Sequence, residues 1–213
     1  CQYCRLDAIR EAVDNAIADP YNIKQSIYTD KKPLKVLAIG NSFSEDCMLY
    51  LWDLLNSVGI QSTLAFLHIG SCSIDKHWSL ACSGEEKYEY HKKDSSEPWR
   101  ITKSNMINGV KDEDWDAIVF YQNAFNFGFI DTYGNLDNLL GFVRENATNK
   151  DVKFLWNLTW AYQGDFEDWR FEKYGNDQEN VQLIMAERIY CICISAAGIF
   201  FVFSTLLYIL IRS

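Results

Sequence analysis

The sequence predicts an α/β fold: a three-layer α/β/α sandwich in which a mainly parallel sheet lies between two layers of helices. Short apolar runs alternate along the chain with amphipathic segments, in the order strand, helix, strand, helix, strand, helix, strand. This alternation is typical of parallel sheets, because each crossover connection places a helix on a face of the sheet. The runs are apolar at successive positions, as expected for strands that are buried on both faces.

The first strand and the helix that follows it organise the rest of the chain. Residues 36–39 are aliphatic, and the chain turns at Gly40. Ser42 therefore lies at a strand-to-helix turn on the carboxyl edge of the sheet, where open α/β folds place their chemistry. The next helix is predicted to end at Gly59 and is marked by apolar residues at three- and four-residue spacing, namely Met48, Leu51, Trp52, Leu55 and Val58.

The second strand covers residues 62–69 and also ends at a glycine, Gly70. Ser73 is placed to cap a short helix that runs through Trp78. Residues 87–103 have the pattern of a solvent-facing hairpin inserted between the second and third strands.

The third strand, residues 117–121, leads directly into Gln122 and Asn123. A helix over 136–147 and a fourth strand over 152–159 complete the predicted sheet. We therefore predict a main domain at 34–188, preceded by an N-terminal helix and linker at 1–33.

The tail differs abruptly from this domain in composition. Residues 190–211 carry no charged side chain, and their number suffices to span a bilayer. We predict that residues 189–213 form an apolar C-terminal helix that crosses the membrane. Arg212 beyond the run favours a main domain outside the cytoplasm, in the periplasm or at the cell surface. A buried core helix and a tail created by a reading-frame error are the alternatives.

Charge and cysteine content narrow the possible partners. The net charge of −9 argues against a nucleic-acid partner, because binding phosphates requires a basic surface. Seven cysteines cannot all pair within one chain, so most are expected to be free thiols. Cys72 and Cys82 are the expected local disulfide if the compartment is oxidising.

Small polar residues follow three of the predicted strands, and the pattern resembles the SGNH or GDSL-type serine hydrolases. The similarity covers roughly residues 34–188 and is closest to a largely uncharacterised bacterial branch of that superfamily. The resemblance implies a flavodoxin-like strand order. The stretches that carry it are Gly40-Asn41-Ser42, Gly70 to Trp78, Asp114-Trp115-Asp116, Gln122-Asn123 and Thr159-Trp160-Ala161-Tyr162-Gln163.

The resemblance implies roles for four of these residues. Ser42 corresponds to the serine that attacks an ester carbonyl, and Gly70 to a backbone donor for the resulting oxyanion. Gln122 is the first match for a side-chain amide donor, and Asn123 is the second. From the residues alone, Ser42 could instead begin a capping box that ends at Glu45, in which its hydroxyl serves only the helix.

The general base of the superfamily has no counterpart in this sequence. The resemblance implies an Asp-x-x-His on a loop after the last strand, but the histidines here are His68, His77 and His91, all ahead of the third predicted strand. We therefore predict a sheet without its last strand and an impaired enzyme. His77 is expected to contact substrate or to pack, His68 to lie in the core and His91 to be solvated on the hairpin.

The resemblance implies an ester or acyl hydrolase that needs neither a metal nor an organic cofactor. Carbohydrate esters are the expected substrates, with the oligomeric state left open. A phosphate-binding flavodoxin-like module and an inactive, membrane-tethered glycan-binding or interaction domain are the rival hypotheses. The residues expected to border the substrate are Asn41, His77, Trp78, Trp160 and Tyr162.

Overall fold

In the computed structural model of the protein, the central strand of the sheet pairs in parallel with one strand on each side. The structure describes residues 32–57, 59–157, 169–172, 175, 177 and 199–201. Pro33–Ser204 form one compact unit, and the description below concerns this unit. The expected N-terminal helix and linker at 1–33 lie almost entirely outside the described residues.

The described strands form one seven-stranded sheet in the order β4-β3-β2-β1-β5-β6-β7. Strands β2, β1, β5, β6 and β7 are parallel to one another, and β3 and β4 extend the β2 side in antiparallel fashion. The mainly parallel α/β sheet is therefore confirmed. The strands are β1 Leu34–Gly40, β2 Ser62–His68, β3 Tyr88–Lys93, β4 Arg100–Ser104, β5 Ala117–Phe120, β6 Lys153–Trp156 and β7 Ile199–Phe201.

Helices connect the strands, and a break at Tyr50 divides the first predicted helix into two. Ser73 caps α3 as expected, its side chain accepting a hydrogen bond from the Lys76 amide. A 3₁₀ helix, Ile130–Tyr133, precedes α5. The helices are α1 Ser42–Leu49, α2 Leu51–Ser57, α3 Ile74–Ser83, α4 Met106–Lys111, α5 Leu136–Asn146 and α6 Trp169–Glu172.

The two faces of the sheet are covered by different helices. Leu37 and Ile39 of β1 belong to one buried cluster with apolar side chains of α3, α4 and α5. Successive side chains of a strand point to opposite faces, so Val36 and Ala38 face the other layer. There α1 and α2 pack on β1 and β2, and the Trp52 indole donates to the Ser62 carbonyl at 3.2 Å.

The predicted hairpin is part of the sheet and is not merely solvent-facing. Tyr88 is fully buried and Tyr90 is nearly so, whereas Glu89 between them is exposed. This alternation is that of a half-buried antiparallel strand. Strand β3 pairs with β2 from Leu64 opposite Lys93 to His68 opposite Glu89.

The predicted apolar tail lies mostly outside the described residues. Of residues 189–213 the structure describes Ile199–Phe201, which form a strand parallel to β6, where the sequence analysis expects a helix. Ile and Phe favour strands, and a short apolar run has no periodicity that distinguishes a buried strand from a buried helix. In the described part of the chain, no helix combines the length and hydrophobicity needed to cross a bilayer.

Candidate active site

The segments after β1, β2 and β5 are joined by side-chain hydrogen bonds at the carboxyl edge of the sheet. Asn41, after β1, donates from Nδ2 to the Cys72 carbonyl at 3.1 Å. Asn123, after β5, donates from Nδ2 to the Ser71 carbonyl at 3.0 Å. Strand β1 lies between β2 and β5, so the segment that follows β2 passes over the end of β1. The chain runs from β1 to β2 on one side and from β5 to β6 on the other, and open α/β sheets bind ligands where the direction reverses in this way.

Asn41, and not Ser42, caps the first helix. Its Oδ1 accepts from the Phe43 amide at 3.1 Å, and the Ser44 hydroxyl donates to its carbonyl at 2.5 Å. Ser42 begins α1 with an exposed side chain, and its hydroxyl makes no hydrogen bond to another described residue. The capping-box alternative for Ser42 is therefore wrong, because Asn41 already serves the helix end.

Gly40 allows this turn to pack closely. A Cβ atom at this position would lie 2.8 Å from Tyr121 Cδ2 and 2.9 Å from Ser44 Oγ. Both neighbours are buried, so a side chain at residue 40 would displace the start of α1.

Gly70 and Ser71 turn the chain out of β2. Gly70 is exposed, and a Cβ placed on it would meet nothing within 4 Å. Ser71 has φ 55°, a left-handed conformation that is uncommon for a residue with a side chain. The bond from Asn123 to the Ser71 carbonyl holds this turn in place.

The side-chain amides of Gln122 and Asn123, which follow β5, differ in how many of their hydrogen-bonding groups already have partners. Gln122 donates from Nε2 to the Thr132 carbonyl at 3.2 Å and the Thr132 hydroxyl at 3.3 Å, while its Oε1 accepts from the Ile74 and Asn123 amides. Asn123 makes its bond to Ser71, and its Oδ1 is buried without a described partner. An amide carries two N–H donors, so Asn123 is the better placed of the two to bind a ligand.

His77 lies away from this edge, in the core. It is fully buried in α3, and its Nδ1 is 2.9 Å from the Tyr88 hydroxyl, with the two rings stacked. Burial lowers the pKa of His77 to about 3, so its imidazole is neutral. His77 is therefore a neutral residue of the core in the structure.

Of the three aromatic residues expected to border the substrate, the structure describes Trp78 alone. Trp78 is half-buried and packs edge-on against Phe142 of α5. Trp160 and Tyr162 lie outside the described residues. Cys72 and Cys82 are free thiols, so the expected disulfide is not present. Burial raises the pKa of Cys72 to about 12, which leaves no thiolate to compete with a serine nucleophile.

The structure also brings together a group of metal-ligand residues that sequence reasoning missed. His68, Glu89 and His91 offer ligand atoms that all lie within 4.8 Å of one another. The expectation of a solvated His91 is wrong, since the residue is 6% exposed, and His68 Nε2 has no hydrogen-bond partner among the described residues. The signal in the sequence was Glu89-x-His91, because alternate residues of a strand share a face.

The sheet order, the helices on both faces and the serine after the first strand define an α/β protein with the fold of the SGNH hydrolases. The chain belongs to the family described as Domain of unknown function (DUF4886), whose model matches residues 35–193.

The solved structures that are similar to this chain include the following two. A DUF4886 family protein from Bacteroides uniformis ATCC 8492 is 26% identical with a TM-score of 0.75, and the match covers 80% of this chain and 66% of that chain. A protein from Slackia heliotrinireducens that is assigned to the SGNH hydrolases is 14% identical with a TM-score of 0.52, covering 78% of this chain and 77% of that chain. The second similarity establishes the fold alone. None of the functionally curated proteins matches the sequence.

Proposed function

We propose that the protein is a serine ester or acyl hydrolase in which Ser42 is the nucleophile. The observation that carries the proposal is the pair of bonds from Asn41 and Asn123 to the segment after β2. These bonds hold Ser42, Gly70 and Asn123 around one edge of the sheet. Ser42 is exposed there and its hydroxyl is not used by the helix.

The reaction follows from these groups. The Ser42 Oγ attacks the ester carbonyl carbon, its proton leaves, and the carbonyl oxygen becomes an oxyanion. The Gly70 amide and the second N–H of Asn123 donate to this oxyanion, and the α1 N-terminus favours its negative charge. The alcohol departs with a proton, and water then hydrolyses the acyl-serine to release the acid.

No described residue is placed to accept the proton that Ser42 loses in this reaction. His77 is committed to Tyr88 on the far face, and no hydrogen bond joins Ser42 to a histidine among the described residues. We propose that the proton passes to solvent, in which case turnover is expected to be slow. Enzymes that lose a triad member still accelerate the reaction roughly 10³- to 10⁴-fold over water.

Carbohydrate esters are the proposed substrates, on the strength of Trp78 after the second predicted strand and of Trp160 and Tyr162 after the fourth. The rival is an inactive glycan-binding or interaction domain tethered to the membrane, which the missing Asp-x-x-His favours. We also propose that the protein is located outside the cytoplasm.

The test measures ester hydrolysis by wild type, Ser42→Ala and Ser79→Ala. Aryl acetates and acetylated oligosaccharides serve as substrates, and a fluorophosphonate probe reports the nucleophile. Ser79 is the matched control because it is an exposed serine on a neighbouring helix. We expect slow hydrolysis and slow labelling that Ser42→Ala abolishes and Ser79→Ala preserves.

Asn123→Asp tests the oxyanion donor, because it removes both N–H groups at constant size. We expect hydrolysis to fall by about 10²- to 10³-fold. Equal turnover by wild type and Ser42→Ala would overturn the proposal. Thermal stabilisation by acetylated oligosaccharides without any turnover would support the binding domain in its place.

A further inference from the structure

His68, Glu89 and His91 form a compact group on the face of the sheet that α1 covers, hereafter the histidine cluster. His68 lies at the end of β2 and pairs in register with Glu89 of β3. Glu89 and His91 are two residues apart on one strand, so their side chains share a face. Strand pairing therefore fixes all three Cα positions, which is a more rigid arrangement than a loop provides.

The ligand atoms of the cluster are close but not hydrogen-bonded to one another. Glu89 Oε2 lies 3.9 Å from His68 Nδ1 and 3.9 Å from His91 Nε2. His91 Nε2 and His68 Nε2 are buried without hydrogen-bond partners in the described part of the chain. Of the proposed ligand atoms, His91 Nε2 is thus an unpartnered buried nitrogen that faces the Glu89 carboxylate, which leaves it free to bind a ligand.

Packing holds the His91 ring in place, and the cluster is open to solvent at Glu89. His91 stacks on Phe66 with ring centroids 4.3 Å apart, and Phe66 meets Trp99 edge-on at 5.1 Å. The His68 side chain is only 17% exposed, whereas that of Glu89 is 50% exposed. Glu89 can therefore adjust to a ligand that enters from solvent.

A second carboxylate approaches the cluster from α1. Glu45 Oε2 lies 3.7 Å from His68 Nε2, on the side of the ring opposite the Nδ1 that faces Glu89. Metal-bound histidines usually donate their second N–H to a carboxylate, which fixes the ring orientation. Glu45 is placed for this positioning role.

We propose that the histidine cluster binds a divalent transition-metal ion, with zinc as the expected ion. His68 Nδ1, His91 Nε2 and Glu89 Oε2 are the ligands, and water occupies the fourth position. Two imidazoles and one carboxylate suit zinc, and ligands of tetrahedral zinc lie about 3.3 Å apart. The 3.9 Å separations would therefore close by about 0.5 Å on binding, mainly through Glu89. The proposal does not depend on the role of Ser42.

Zinc titration of the full chain tests the site, with calorimetry and thermal melting as the readouts. Glu89→Gln removes a ligand but also breaks the ion pair of Glu89 with Lys103, 3.4 Å apart. Lys103→Gln breaks the same ion pair and keeps the carboxylate, so it is the matched control. We expect wild type and Lys103→Gln to bind zinc alike and Glu89→Gln to lose about tenfold or more in affinity.

Imidazole nitrogen NMR resonances give a second readout that cysteine thiols cannot mimic. His77 lies in the core on the other face and serves as an internal control. We expect zinc to shift the His68 and His91 resonances and to leave His77 unchanged. The proposal is overturned if zinc moves neither resonance, or if Glu89→Gln binds zinc as tightly as wild type. The cluster would then be a set of neighbouring polar side chains that binds no metal ion.

Discussion

His77 and His91 lie on opposite faces of the sheet, and β3 contributes to the surroundings of both. On the core face, His77 is held by the Tyr88 hydroxyl and by ring stacking, with no acidic residue in a described bond to it. On the α1 face, His91 stacks on Phe66, but carboxylates stand nearby, with Glu89 at 3.9 Å. Both imidazoles are more than nine-tenths buried, so burial alone does not distinguish them.

The difference lies in what each imidazole can do. Burial lowers the pKa of His77 to about 3, and nothing offsets it. Burial also lowers the pKa of His91, followed by the charge of His68, but Glu45 and Glu89 oppose the shift. The core face thus uses a histidine as a neutral packing group. On the α1 face, the histidines lie close to carboxylates, as a metal-binding site requires.

Among the changes that test this difference between the two faces, replacement of His77 is expected to have the largest effect. His77→Ala leaves a cavity and a buried Tyr88 hydroxyl without its partner, and we expect it to lower the free energy of unfolding by about 3 kcal/mol. Urea denaturation measures the change. Ser79→Ala, an exposed change on the same helix, should stay within about 0.5 kcal/mol of wild type. A loss below about 1 kcal/mol for His77→Ala would contradict the core assignment.

The next effect is a pH dependence of stability. The folded pKa of His77 is about 3 and its ordinary value is 6.5, so the unfolded chain binds a proton that the folded chain does not. Stability is therefore lost as pH falls from 6.5 towards 3. Between about pH 7 and about pH 5 this group alone should lower the free energy of unfolding by about 2 kcal/mol.

Urea denaturation of His77→Leu and His91→Leu at both pH values isolates this effect. His77→Leu should remove that share of the pH dependence. His91→Leu should remove less, because the neighbouring carboxylates restrain the shift in its pKa. Equal slopes for wild type and His77→Leu would show that the core histidine does titrate in the folded chain.

The sequence predicts the parallel core of this fold well. Strands β1, β2, β5 and β6 follow from apolar runs, and the turns after β1 and β2 follow from glycines; both are local signals. The roles at the strand ends do not follow in the same way. That Asn41 caps α1 while Gln122 is bound to Thr132 depends on contacts between segments far apart in the chain.

The histidine cluster was missed for a related reason. Residues 87–103 look solvent-facing when only their charges are counted, yet β3 pairs with β2 and buries one row of side chains on each face. The register that places His68 opposite Glu89 is a tertiary property. Strand β7 was missed because its apolar stretch is embedded in a longer apolar run, which hides its length.

Removing a tyrosine hydroxyl on the core face should have a smaller effect on stability, and the effect should differ between Tyr88 and Tyr90. Tyr88→Phe leaves His77 Nδ1 buried without its partner, and we expect a loss of about 1 to 2 kcal/mol. Tyr90 donates to Asp112 at 2.7 Å, but Asp112 is partly exposed and also bound by Lys92. Tyr90→Phe should therefore cost no more than about 1 kcal/mol, because water can replace the hydroxyl. A larger loss for Tyr90→Phe, measured by urea denaturation, would reverse this ranking.

The smallest expected effect concerns the range of a surface charge. It tests whether that charge changes pKa values on the α1 face but not in the core. The hydrogen bond and charge of Lys103 hold the pKa of the Glu89 carboxyl below its usual value. Lys103→Gln should therefore raise the pKa of Glu89 and leave His77 unprotonated down to the same pH as in wild type. Side-chain NMR titration follows both groups in one sample. A parallel change at His77 would mean that the two faces are electrostatically coupled, because only then could a charge on β4 influence a group shielded by the sheet.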